Sequence, residues 1–215
     1  MIPLVGPSLM PTSGTVKRVL ILLHGVGSNG DDLISLSPMI QDALPDTLFV
    51  SPNGAEPYDM APFGYQWFSL RDRAIPAMTA GVAAVAPRVN HYIDQMRDQY
   101  SLCDDQVAVM GFSQGTMTAL YACLRRDKPL AGIVGFCGAL LSAETLPKSE
   151  TPVCLIHGEQ DDVVPFFAMA HAEAGLRAAG IAVESHPRPG LGHTVDAGGL
   201  DAAVAFLRQR YGITG

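Results

Sequence analysis

The pentapeptide Gly111-Phe112-Ser113-Gln114-Gly115 constrains this chain more than any other stretch. An apolar run, Val107 to Met110, precedes it, and Met117, Leu120, Tyr121 and Leu124 recur after it at spacings of three and four. Strand, G-x-S-x-G and helix in that order are the context of a nucleophile elbow, in which a sharp turn lifts a serine hydroxyl above the end of a sheet. The flanking glycines admit backbone where a Cβ would clash. A serine hydroxyl is a weak nucleophile by itself. It needs a base, and the base needs an orienting carboxylate.

Around the elbow the chain alternates strand and helix. Val16–Leu23 ends in a near-continuous apolar run, which fits a strand covered on both faces of a parallel sheet. Thr47–Ser51, Leu130–Phe136, Val153–Ile156 and Ile181–His186 read as further strands. Residues 1–15 read as an arm or a short edge strand. Asp31 or Asp32 is placed to cap a helix towards Leu44. Met78 to Tyr100 follows a helical period with Pro87 inside it, where a kink or restart is expected. Pro165 opens a helix stopped near Gly180, and Leu200 to Leu207 marks a closing helix. The expected fold class is α/β, a mostly parallel sheet with helices on both faces, formed by residues 1–215 as a single domain without a separate lid. Between Pro52 and Ala77 lies an aperiodic segment carrying Tyr58, Phe63, Tyr65, Trp67 and Phe68. A loop this long in a compact domain is usually functional, and it is expected to form a wall of the site.

In such sheets function collects at the carboxyl ends of the strands. Two downstream loops there carry the missing groups. Glu159, Asp161 and Asp162 follow the strand at 153–156, and spacing alone does not choose among them. His193 follows the last strand in a glycine-rich loop and is the candidate base. Serine, acid, histidine is the chain order of an α/β-hydrolase. Oxyanion donors are expected from the backbone of Gln114, the residue after the nucleophile, and from the loop His24-Gly25-Val26-Gly27, with Val26 the candidate.

Composition narrows the alternatives. With 48% hydrophobic and 16% charged residues the chain is not disordered. A net charge of −7 without a basic run argues against nucleic acid and polybasic membrane contacts. The first fourteen residues do not read as a signal peptide, and no apolar run reaches membrane-spanning length. A cytoplasmic protein without stable membrane insertion is expected. Four cysteines (103, 123, 137 and 154) lack C-x-x-C spacing and lie at no metal-ligand spacing from a histidine, so neither a metal site nor a disulfide framework is expected. A mean hydropathy of +0.21 leaves room for a homodimer.

These residues resemble the phospholipase/carboxylesterase family, whose eukaryotic relatives include acyl-protein thioesterases. The likeness runs from about Val19 to Leu207 and rests on Leu23-His24-Gly25-Val26-Gly27, Trp67-Phe68, the Ser113 pentapeptide, His157-Gly158 with Asp161 and Val164-Pro165, and Gly192-His193. In the family pattern the acid is the third residue after the H-G pair, which selects Asp161. The chain departs from that pattern at Glu159, often aspartate, and at Asp162, often proline, so Asp162 stands as the second candidate. The resemblance also implies that Trp67, Phe68 and Val164 border an acyl pocket. It implies a serine esterase that needs no metal or cofactor and acts on small-molecule esters, with thioesters and lysophospholipids within reach. Short or medium acyl chains are expected, because nothing in the sequence looks like a membrane-docking surface. The competing reading is a catalytically silent α/β-hydrolase domain that binds a small molecule or a partner.

Overall fold

The computed structural model describes residues 3–214; residues 1, 2 and 215, which include the first two of the N-terminal arm and both ends of the expected 1–215 unit, lie outside the described residues. The arm supplies β1 (Ser8–Leu9), which pairs antiparallel with β3 (Thr47–Val50). Between them run β2 (Arg18–Leu23), a short helix α1 (Gly30–Ile34), α2 (Ser37–Ile40) and a 3-10 turn (Gln41–Ala43). The cap of α1 is Asn29, whose side chain accepts from Asp32 N; Asp31 and Asp32 lie in the first turn instead of capping it.

The aperiodic segment folds as a two-strand ladder, β4 (Glu56–Pro57) with β5 (Tyr65–Gln66). It leads into α3 (Ile75–Gln99), which runs through Pro87 without a break. An internal proline removes one ladder bond and ordinarily costs about 3 kcal/mol. Here Val82, Val85, Ala86, Val89, Tyr92 and Ile93 bury one long face of the helix, and that burial, at about 1.5–3 kcal/mol for each large side chain, outweighs the loss.

The remaining elements are β6 (Val107–Phe112), α4 (Gln114–Cys123), β7 (Gly132–Phe136), β8 (Val153–Gly158), α5 (Phe167–Ala178), β9 (Val183–Arg188) and α6 (Ala197–Arg210). The main sheet has the order β1-β3-β2-β6-β7-β8-β9, parallel throughout except for β1. Alternate residues of the central strands face opposite ways. Val19, Ile21, Leu23, Val107 and Val109 pack with α3, α4 and α5, whereas Leu20, Leu22, Ala108 and Met110 pack with α6 and the α1–α2 segment. This double burial is why those strands read as unbroken apolar runs. Among the described residues no helix is long and apolar enough to cross a membrane.

Candidate active site

The order of the sheet brings the carboxyl ends of β2, β6, β8 and β9 to one rim, and each delivers one candidate group. At the end of β6 the chain turns into α4 through Ser113, which holds φ 54° and ψ −115°. A non-glycine residue there stores strain of order 1–3 kcal/mol. Packing maintains it. A Cβ on Gly115 would run into the Leu23 carbonyl oxygen, and one on Gly111 would meet the Gly115 backbone. Ser113 N donates to Phe136 O at 2.9 Å, and its hydroxyl does not cap α4.

The loops after β8 and β9 are stitched together. Gln160 N donates to Leu191 O at 2.8 Å and Glu159 N to Arg188 O at 3.1 Å. Only a glycine fits at Gly158, because a Cβ there would strike the Leu191 and Gly192 carbonyls. This contact carries His193 to Asp161. Its Nδ1 lies 2.7 Å from Asp161 Oδ2, so Nδ1 is the protonated nitrogen facing a carboxylate that can only accept. Asp162 is exposed and has no such contact. The other oxygen of Asp161, Oδ1, accepts from Val163 N at 2.9 Å and Val164 N at 2.8 Å. Burial pushes the Asp161 carboxyl up, but the His193 hydrogen bond and the Val164 and Val163 N–H groups outweigh it and hold the group below the ordinary aspartate value.

His157 is a further contributor that sequence reasoning left unassigned. Its Nε2 faces Val164 O at 2.9 Å and Asp161 Oδ2 at 3.1 Å. Both are acceptors, so Nε2 carries the proton and braces the carboxylate from behind. Its place in the His157-Gly158 pair marked the loop, and its i,i+4 spacing from Asp161 across the end of β8 was the signal for this contact. The Phe112 ring packs on the His193 ring with centroids 4.9 Å apart. Cys137, at the end of β7, places a thiol, a carboxylate and an imidazole within 4.8 Å of one another together with Asp161 and His193. These three could approach a metal, but the 2.7 Å Asp161–His193 bond is shorter than the roughly 3.3 Å edge of a tetrahedral site with bonds of about 2.0–2.1 Å. Burial, opposed by a Gly158 backbone hydrogen bond, pushes the Cys137 thiol up to about 11, so it stays protonated.

Ser113 and His193 line one cleft of about 430 Å³ with Gly25, Val26, Phe112 and Val163; Leu33, Leu36 and Val195 complete its apolar wall. A larger hollow of about 580 Å³ lies at the amino ends of β7 to β9, lined by Arg126, Lys148 and Glu150 among others. It is far from the elbow and contains no serine positioned like Ser113.

Three expected pocket residues stand elsewhere. Trp67 and Phe68 are 1% and 3% exposed and do not line the cleft. They sit behind it: Trp67 Nε1 donates to His24 O at 2.8 Å, and the Gln114 side chain clamps the pair, accepting from Trp67 N at 2.9 Å and donating to Phe68 O at 2.7 Å. The Gln114 side chain therefore holds the Trp67–Phe68 segment in place. Val164 is buried with its N–H on Asp161, and its exposed neighbour Val163 takes the lining position. The aperiodic segment likewise braces the loop after β2 and leaves the cleft wall to others, with Gly27 N on Tyr65 O and Tyr65 N on Ser28 O, both at 2.8 Å. His24 anchors that loop. Its Nδ1 donates to Gly25 O at 2.7 Å and its Nε2 accepts from Gly54 N at 2.8 Å, an arrangement only the neutral ring can make; burial lowers its pKa accordingly.

A mostly parallel sheet between helix layers, with a serine on a strand-to-helix elbow at its carboxyl rim, defines an α/β-hydrolase. The sequence profile of the Phospholipase/Carboxylesterase family matches residues 6–211. The chain belongs to that family and is a carboxylic ester hydrolase of the serine hydrolase type. It is similar to Esterase YpfH of Escherichia coli (strain K12), 29% identical over 89% of this chain and 82% of the relative. It is also similar to Acyl-protein thioesterase 1 of Gibberella zeae, 24% identical over 96% of each chain. Among solved structures, esterase PE8 superposes with a TM-score of 0.92 at 40% identity, covering 97% of this chain and 99% of that one.

Proposed function

We propose that the protein hydrolyses carboxylic esters through an acyl-Ser113 intermediate, with His193 as base and then acid and Asp161 as its orienting carboxylate. Asp161 engages His193 Nδ1, which leaves Nε2 to take the Ser113 proton as Oγ attacks the ester carbonyl carbon. Collapse of the tetrahedral adduct breaks the carbonyl–alkoxide bond, and His193 returns the proton to the departing alcohol. Water, deprotonated by the same imidazole, then cleaves the acyl-serine bond. The oxyanion is held by the N–H groups of Val26 and Gln114. The Gln114 N–H stands at a helix start, where backbone donors lack intrahelical partners, and removing one such donor typically costs about 3 kcal/mol of transition-state stabilisation.

The apolar wall formed by Leu33, Leu36, Phe112, Val163 and Val195 receives the acyl chain in a cleft of about 430 Å³. Relatives named as thioesterases extend the proposal to thioesters, which undergo the same addition at the carbonyl carbon. The observation that carries this reading is the 2.7 Å Asp161–His193 contact in a cleft shared with an elbow-strained Ser113. Ser113→Ala tests it: turnover of a p-nitrophenyl ester should fall by at least about 10³-fold with the circular dichroism spectrum unchanged. Near-normal turnover by the folded variant would remove Ser113 from the mechanism.

A further inference from the structure

A second cluster of ligating side chains lies away from the cleft, across the last two strands of the sheet. In the β8–β9 register Cys154 stands opposite Glu184, and Ile156 opposite His186. Side chains two residues apart on a strand share a face, so Glu184 and His186 project on the side where Cys154 is buried. Glu184 Oε1 and His186 Nε2 are 3.2 Å apart. One donor atom from each of the three residues falls within 4.8 Å of the other two. Cys154 forms the floor at 0% exposure, while the Glu184 and His186 side chains are 41% and 38% exposed and open to solvent.

We propose that Cys154, Glu184 and His186 form a binding site for a borderline divalent cation of the zinc class, ligated by Sγ, Oε1 and Nε2 with water completing a tetrahedron. Thiolate, carboxylate and imidazole are the donor types such an ion takes. The 3.2 Å carboxylate–imidazole separation is close to the roughly 3.3 Å edge of a tetrahedron with bonds of about 2.0–2.1 Å, a test the active-site cluster fails at 2.7 Å. A proton now lies in the cation's place, since His186 Nε2 donates to Glu184 Oε1. Binding breaks that hydrogen bond, releases the Cys154 thiol proton to solvent, and leaves the imidazole neutral with its proton on Nδ1. The thiolate and carboxylate together balance the dication. Arg188, the next cation on that face, is already paired with Asp196 at 2.8 Å and leaves the cluster free of a competing positive charge. An ion here ties the edge strand β9, which leads to the His193 loop, to β8, which leads to Asp161.

Reduced protein titrated anaerobically with cobalt(II) chloride tests the site, because cobalt–thiolate ligation produces a near-ultraviolet charge-transfer band. One equivalent should produce the band in the unaltered protein and in Cys103→Ser and Cys137→Ser, but not in Cys154→Ser. His186→Ala and Glu184→Gln, at half-exposed positions, should each weaken binding at least tenfold. Zinc chloride should raise Tm in the unaltered protein but not in His186→Ala. If Cys154→Ser does not fold, the two half-exposed variants decide the matter alone. Absence of the band in the unaltered protein, its persistence in folded Cys154→Ser, or unchanged affinity in both His186→Ala and Glu184→Gln would overturn the proposal.

Discussion

Asp161 and Asp162 are adjacent and chemically identical, yet their surroundings are opposite. Asp161 accepts from His193, Val163 and Val164 in a buried corner, whereas Asp162 is exposed. On the proposed mechanism Asp161→Asn loses the correct imidazole tautomer and should lower kcat by about 10⁴-fold. Asp162→Asn should stay within a few-fold of the unaltered enzyme. Steady-state kinetics of the two variants decide this, and the reverse ranking would move the orienting role by one residue. The sequence alone left three acids open on this loop; only the family spacing singled out Asp161. The reason for the preference is a backbone turn that aims two N–H groups at one carboxylate, and residue types do not display it. The contacts of His157 and Cys137 were illegible for a related reason: each reaches the site from a strand end whose neighbours are fixed by sheet order.

At the scale of elements, the central strands were legible because burial on both faces leaves apolar residues almost throughout them, from Val19 to Leu23 and from Val107 to Met110. The last strand was shifted. It was expected over Ile181–His186, stopping before Pro187, but β9 spans Val183–Arg188. An edge strand tolerates a proline whose missing N–H faces outward, while Ile181 is held back in the turn after α5 by its N–H on Leu176 O. The aromatic segment before α3 misled differently. Its aromatics suggested a substrate wall, but Trp67 and Phe68 are held inside by the Gln114 amide. Gln114→Ala strands the Trp67 N–H and the Phe68 carbonyl. It should cost about 1–3 kcal/mol in urea unfolding, and kcat should drop as the braced donor loop loosens. A variant of unchanged stability would show that the clamp is not needed to hold the segment.

On the scale of the molecule, the end of the sheet opposite the cleft is closed by a charge network. Arg126, buried after α4, bonds Asp94 at 2.7 Å and Asp104 at 2.9 Å, and Arg97 bonds both aspartates from α3. We propose that residues 1–215 unfold as one unit, with this network joining α3 to the turn before β6 and to the end of α4. Asp104→Asn removes one of the two carboxylates on Arg126 and leaves Asp94 paired to it, so it should cost about 1–2 kcal/mol, seen as one lowered transition in calorimetry. Two separate transitions would divide the chain. Burial raises the Asp104 pKa, but the Arg126 hydrogen bond and the Arg97 charge outweigh it and hold the carboxyl below its ordinary value. The stabilisation is therefore complete above the ordinary aspartate value and is lost as pH falls through the lower folded one. Asp104→Asn should flatten that part of the acid stability curve.

The proposed mechanism turns on whether Ser113 is a nucleophile driven by His193. Incubation with a fluorophosphonate, followed by intact-protein and peptide mass spectrometry, reads this directly. The mechanism predicts one adduct per chain on the peptide containing Ser113, with labelling slowed at least about 10³-fold in folded His193→Ala. Failure of the folded protein to label, or an adduct on another residue, would contradict it.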